Sequence, residues 1–286
     1  MIDLSIIIVN FNTEKLLRDC LQSVFKHTQN LSFEVIVVDN NSVDGSLKML
    51  EKDFSQVRVV ASQKNLGFAG GNNEGIRKAK GEFILLLNSD TKLEKNGFLK
   101  LVELAKTKKN LGICGPRLLN EDKTIQPSTM PFLRLPMAAI WLFTGDRFLK
   151  KSPSLSKRVD WLSGACFLIK REVIDQIGFL DEKFFMYVEE MEYAYRASKK
   201  GFQCWFFPQV EVYHLERGRS PEGKRRTIWW IYEGMVYFYQ KHFAPWQVNV
   251  LKLLLKLKAV LAFCLGLITK NSYLKKTYGK AFRMVG

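Results

Sequence analysis

The sequence predicts an α/β fold: a Rossmann-like, mostly parallel sheet flanked by helices. Continuous apolar runs such as Val35 to Val38 and Phe83 to Leu87 read as strands buried on both faces. Helical patterns separate these runs as far as about residue 115, the alternation expected of right-handed crossovers. The runs also finish in Asn and Asp, and ligands of open α/β sheets collect at such carboxyl ends.

The first strand, Leu4 to Val9, ends in Asn10-Phe11-Asn12. Thr13 to Lys26 follows as a helix, with Leu16, Leu17, Cys20, Leu21 and Val24 at helical spacing and Thr13 as its candidate cap. The second strand, Phe33 to Val38, ends in Asp39-Asn40-Asn41-Ser42, with Asp44-Gly45-Ser46 behind. The segment Asn65 to Gly75 carries Gly67, Gly70 and Gly71 and precedes a helix-compatible stretch from Glu74 to Lys80. It reads as a loop where backbone can approach a ligand, yet it has neither Walker nor dinucleotide spacing. The strand Phe83 to Leu87 then delivers Asn88-Ser89-Asp90. A carboxylate beside a second oxygen donor suits a Mg²⁺ or Mn²⁺ ion also bound by substrate phosphates. A turn would use the same residue types, but three strand endings of this kind on one edge point to a polar ligand site.

Residues 116–158 carry Pro116, Pro127, Pro131, Pro136 and Pro153, which break any long element. The stretch is too long for a plain loop, so a lid or an acceptor-facing insertion is expected. A strand begins near Gly164, and Arg171 to Ile177 forms a short helix closed by Gly178. Glu189, Glu190 and Glu192 crowd the first turn of a helix that runs to about Lys200 and stops at Gly201. Acids there favour a helix N-terminus on their own account. His214 closes a strand from Val210, and Arg217, Arg219, Lys224, Arg225 and Arg226 follow in a basic loop.

Of 286 residues, 47% are apolar, ample for a core and against disorder. Five scattered cysteines read as buried free thiols of a reducing compartment. The chain enters its first strand by residue 4 and carries Asp3, so no secretory signal is expected and a cytoplasmic site is. Net charge is +16, and Gly234 to Gly286 holds nine Lys or Arg and no acid, more than half of that excess. The tail's lysines alternate with Leu, Val and Ala rather than forming a polar stripe, which excludes nucleic acid. Pro245 is placed to start a helix, but Lys252, Lys256 and Lys258 interrupt it, leaving no run of the roughly 20 apolar residues a spanning helix needs. Residues 1–240 are therefore expected to be a catalytic domain. Residues 241–286 are expected to be a basic amphipathic helical extension held on an anionic membrane surface. A helical hairpin packed on the protein's own core, or a homodimer interface, is the other reading of this tail.

Ser5 to Asn12, Val37 to Ser46, the Asn65 to Asn73 segment and Leu86-Leu87-Asn88-Ser89-Asp90 together resemble glycosyltransferase family 2. The likeness runs from about residue 4 to 240. It is nearest to the rhamnosyltransferase-like branch of bacterial surface-polysaccharide enzymes. The resemblance implies a GT-A fold, a nucleotide-diphosphate sugar donor, a divalent cation and an inverting transfer, with rhamnose as one candidate sugar. It implies a saccharide or polyprenyl-linked acceptor. It makes Asp39 the base- or ribose-binding acid and Asp90 the metal-binding acid, with Asn88 where many members carry Asp. It places Asn10, Asn12, Asn41, Asn65, Gly67 and Asn72 around the donor, and Trp161, Gly164 and Glu192 on the acceptor side. Glu189-Glu190-x-Glu192 matches an acidic motif usually written Glu-Asp-x-Asp, which makes Glu190 the general base beside Glu189. His214 matches a metal-ligating His. Arg217 and Arg219 are then placed to close over the leaving diphosphate. A nucleotidyltransferase would carry a Gly-rich, basic phosphate loop after the first strand, where this chain has Asn10-Phe11-Asn12-Thr13. An inactive sugar-binding scaffold would have lost Asp90, the acids or His214.

Overall fold

A computed structural model describes residues 2–215 and 221–286. The first half runs β1 (Leu4–Asn10), α1 (Glu14–His27), β2 (Phe33–Asp39), α2 (Ser46–Asp53), β3 (Arg58–Ala61), α3 (Gly67–Ile76), β4 (Phe83–Asn88), β5 (Thr91–Lys92), α4 (Gly97–Lys106) and β6 (Leu111–Leu119). Next come β7 (Ile125–Gln126), β8 (Thr129–Met130), α5 (Leu135–Thr144), α6 (Asp146–Leu149), β9 (Lys157–Val159), β10 (Trp161–Leu162), β11 (Cys166–Lys170) and α7 (Arg171–Ile177). The chain ends in α8 (Glu189–Lys199), β12 (Gln203–His214), α9 (Pro221–His242), α10 (Pro245–Ile268) and α11 (Ser272–Met284).

The main sheet is ordered β3-β2-β1-β4-β11-β6-β12-β5. Strands β3, β2, β1 and β4 are mutually parallel, as are β6 and β12, while β11 runs antiparallel between β4 and β6. Alternation within the apolar runs explains their continuity. Leu4, Ile6 and Ile8 of β1 enter the core under α1, α2 and α4, while Ile7 enters the core on the opposite face. Phe83, Leu85 and Leu87 of β4 divide from Ile84 and Leu86 in the same way. Both faces are covered, so both sets must be apolar.

The structure corrects several sequence expectations. The glycine-rich segment is helix α3, beginning at Gly67 rather than a loop that turns helical at Glu74. A Cβ on Gly71 would stand 2.8 Å from Val9 Cγ1, and one on Gly75 would collide with Ile7. These glycines let a helix lie close on β1. Thr13 does not cap α1; its Oγ1 donates instead to Asn10 Oδ1 at 2.6 Å. Four cysteines are buried as free thiols, but Cys264 is exposed on α10. In the proline-rich stretch Pro136 starts α5 instead of breaking it, because an N-terminal turn has no use for the missing N–H.

The tail is helical as expected, and its inner face is packed. Leu251, Leu255 and Ala259 are fully buried in the core shared with α8 and α9. Helix α9 passes residue 240 without interruption.

Candidate active site

Side chains from β1 and β2 form the first group. Asn10, fully buried, donates to Asp39 Oδ1 at 2.8 Å and Ser42 Oγ at 3.0 Å. Ser42 N donates to Asp39 Oδ2 at 2.9 Å, so both carboxylate oxygens are engaged. Asn12, at φ +55, donates its N–H to Ser42 Oγ and accepts from Val43 N through Oδ1. The result is a rigid polar end to two parallel strands.

A second group joins β2 to α3. Buried Asn40 donates to Gly67 O at 2.9 Å and to Asn65 Oδ1 at 3.3 Å, while Asn65 Oδ1 also accepts from Gly67 N. The bridging residue is thus Asn40, which sequence reasoning passed over; Asn41 is exposed at φ +66. Among the described residues Asn40 Oδ1 finds no partner. Gly67 has φ +72, and a side chain there would run into Phe185 O, which accepts from Phe68 N at 2.7 Å. Asn72 is buried and donates to Phe68 O within its own helix.

The third group is at the end of β4. His214 Nε2 is 3.3 Å from Asp90 Oδ1 and 3.2 Å from Asn88 Nδ2. His214 Nδ1 donates to Gln126 Oε1 at 2.8 Å, while Gln126 Nε2 donates to Asn120 Oδ1. With Nδ1 carrying the proton, a neutral His214 turns its Nε2 lone pair toward a carboxylate. Two donors bound to one small cation at about 2.1 Å and near right angles stand about 3 Å apart, so the pair fits a Mg²⁺ or Mn²⁺ ion. Asn88 faces the ring with its amide nitrogen, so it would offer an ion its side-chain oxygen only with the amide turned over. Among the described residues no three His, Cys, Asp or Glu side chains form a closed cage. Gln126 was missed because one Gln in a proline-rich stretch carries no local signal.

Glu189 and Glu190 form the fourth group, at the start of α8. The preceding Tyr187 and Val188 both have positive φ, +68 and +73, a strained arrangement for a β-branched residue. It delivers two carboxyls side by side. Burial, then the neighbouring Glu190 charge, pushes Glu189 well above the ordinary Glu value. Burial also raises Glu190, opposed by its own N–H, the Gly164 N–H, the charge of Lys150 and a hydrogen bond from Glu189. Two buried carboxyls side by side favour holding one proton between them, which leaves one carboxylate able to accept another. Among the described residues Glu190 Oε2 is buried without a partner.

The turn before β11 links the last two groups. Asn88 N donates to Ala165 O at 3.0 Å, while the adjacent Gly164 faces Phe68 and Glu190 Oε1. A Cβ on Gly164 would stand 3.0 Å from Phe68 Cζ and 3.7 Å from that oxygen. Half-buried Trp161 is anchored by its Nε1 donating to Pro131 O at 3.0 Å. Phe68 was not anticipated. Arg217 and Arg219 lie outside the described residues.

Glu192 does not join the site. Its side chain is fully buried, and its carboxylate accepts from Arg196 Nε at 2.9 Å, Lys241 Nζ at 2.8 Å and His242 Nε2 at 3.0 Å. Burial pushes this carboxyl up, but His242, Arg196 and Lys241 together outweigh it and hold the group below the usual range. Its position along α8 turns it toward α9, so it ties two helices instead of touching an acceptor. Glu192→Gln should cost about 3 kcal/mol, the low end for a broken buried pair, because Arg196 and Lys241 keep some solvent. The charge's contribution is present above the unfolded value of about 4.3 and is lost as pH falls through the depressed folded value. Denaturant midpoints of wild type and variant should differ at pH 7 and converge toward pH 3. Equal midpoints at pH 7 would contradict the role.

Comparison with known proteins follows from this geometry. Residues 5–178 match the sequence profile of glycosyl transferase family 2. The low-salt glycan biosynthesis hexosyltransferase Agl10 of Haloferax volcanii is 32% identical over 219 residues, covering 74% of this chain and 67% of that protein. The N-acetylglucosaminyl-diphospho-decaprenol L-rhamnosyltransferase of Mycobacterium tuberculosis is 29% identical over 213 residues, covering 65% of this chain and 69% of its own. The crystal structure of GalNAc-T7 with UDP, GalNAc and Mn²⁺ superposes with a TM-score of 0.60 at 20% identity. That match covers 84% of this chain, which spans 50% of GalNAc-T7, and it carries the GT-A fold.

Proposed function

This chain belongs to glycosyl transferase family 2, and from that premise we propose that residues 1–240 move a sugar from a nucleotide diphosphate to a lipid-linked saccharide. The observation that carries the reading is the 164–165 turn, which touches Asn88 on one side and Glu190 on the other. A donor diphosphate beside Asp90 and an acceptor hydroxyl beside Glu190 would then meet across one short segment. The donor's nucleoside rests on the Asn10–Asp39–Ser42 end of the sheet.

Asp90 and His214, with Asn88, would hold Mg²⁺ or Mn²⁺. The ion, when bound, neutralises charge on the departing diphosphate. Glu190 takes the proton of the acceptor hydroxyl as that oxygen attacks the anomeric carbon. The bond to the diphosphate oxygen breaks, the diphosphate leaves with its electron pair, and configuration inverts. Arg217 and Arg219 are proposed cationic partners of that leaving group. The rhamnosyltransferase of Mycobacterium tuberculosis is named for a diphospho-decaprenol substrate, which supports a polyprenyl diphosphate acceptor and a place in surface-glycan assembly. The basic segment 241–286 would hold the enzyme on the inner face of the cell membrane, where such an acceptor resides.

The test is a panel of nucleotide sugars incubated with the protein and Mn²⁺. One donor should raise the melting temperature and be hydrolysed slowly without acceptor. A panel in which none binds or turns over would sink the reading.

Gln126 is the positioning residue for His214. Gln126→Leu removes the acceptor that fixes the ring tautomer, so Mn²⁺ affinity should fall about 10- to 100-fold. Titration followed by the EPR signal of free Mn²⁺ measures it, and an unchanged affinity would argue against the arrangement.

A further inference from the structure

Helix α10 has two apolar faces and only one is covered. Val248, Leu251, Leu255, Ala259, Ala262 and Gly266 are buried against the body. Leu253, Leu257, Val260, Leu261, Leu265 and Ile268 are exposed, Leu253 at 67% and Ile268 at 81%. At about 100° per residue the exposed set forms one arc opposite the packed one. Lys252 and Lys256 fall on one border of this arc and Lys258 on the other. Helix α5, from the stretch the sequence left unassigned, packs against α10 and exposes Ile140 and Phe143. The chain leads from α5 through α6 to Lys150, whose charge reaches Glu190.

We propose that the outward faces of α5 and α10 form one docking surface for an anionic lipid bilayer. This rests on the proposed lipid-linked acceptor and adds which elements make the contact. Charge decides the occupant. A second copy docking through the same arc would set Lys252, Lys256 and Lys258 against their equivalents, and residues 245–286 hold eight cations and no acid. An anionic leaflet pairs those that face it, each basic residue near it contributing about 1 kcal/mol before salt screening. Lysines bordering an apolar arc snorkel to the headgroups while Leu side chains enter the acyl boundary. None of the described helices is long and apolar enough to cross a membrane, so the contact lies in the interface plane.

The experiment is flotation of the full chain with phosphatidylcholine vesicles with and without phosphatidylglycerol, at low and at 0.5 M salt (a screening length of about 4 Å). Donor hydrolysis is followed in parallel. Wild type should float with anionic vesicles at low salt and dissociate at high salt. Leu257→Gln with Leu261→Gln should abolish flotation. Ile140→Gln with Phe143→Gln should weaken it at least tenfold, each variant keeping the wild-type circular dichroism and donor hydrolysis. Wild type that turns over donor but stays with neither vesicle, or that forms a dimer which ignores them, overturns the proposal and leaves the enzymatic reading intact. Flotation unaffected by the α5 pair overturns the composite surface. Flotation without turnover of any donor would instead count against the enzymatic reading.

Discussion

Asp90→Ala should reduce turnover by at least about 10³-fold at saturating donor, more than the loss of a single preorganised hydrogen-bond donor costs. Asp90 supplies the carboxylate of the donor set at the end of β4, with His214 Nε2 3.3 Å away and Asn88 adding only a neutral side chain. Leu215 N donates to Asp90 O, so backbone pairing with the chain after β12 holds the two in place whatever the side chain. The loss should therefore appear in chemistry and not in folding. His214→Ala should be milder, because the anionic ligand survives. Initial rates with and without excess chelator read the effect. A near-normal rate for Asp90→Ala, or full activity in chelator, would remove the cation from the mechanism.

Glu190→Gln should lower turnover by about 10² to 10⁴ while donor binding survives. Glutamine keeps the size and the contact with Gly164 but cannot accept a proton. Glu189→Gln separates the two acids. A neutral amide at 189 keeps a hydrogen bond to Glu190 and removes a like charge beside it, so Glu189→Gln should leave most activity. The pH profile carries a sign. Burial raises Glu190, so kcat/KM should fall toward acid with an apparent pKa above the ordinary Glu value, and that limb should vanish in Glu190→Gln. A larger loss from Glu189→Gln would transfer the base to Glu189.

The strands were legible because alternation and continuity are local properties of the chain, and so were the polar residues that end them. What escaped depends on partners far away in sequence. Gly71 and Gly75 look like loop residues until Val9 and Ile7 are seen beneath them. Gln126 acquires meaning only from His214, 88 positions later. Glu192 stands beside two acids of the site in sequence, yet Lys241 and His242, about 50 positions on, claim its carboxylate. Asn40 and Asn41 are indistinguishable as letters; the left-handed backbone at Asn41 sends one outward and leaves the other to bridge β2 and α3. The tail's composition showed charge and apolarity together but not that α10 splits its apolar residues between a packed and an open face.

The most direct test of the account is the anomeric configuration of the product. Glu190 acting as a base in a single displacement requires that the new glycosidic bond have the configuration opposite to the donor's. Proton and carbon NMR couplings at the anomeric centre, measured on product formed with the donor identified from the panel and a polyprenyl-diphosphate-linked sugar, read it without further assumption. Inversion is the predicted result. Retention would mean that no one-step attack assisted by Glu190 takes place, and would contradict the account.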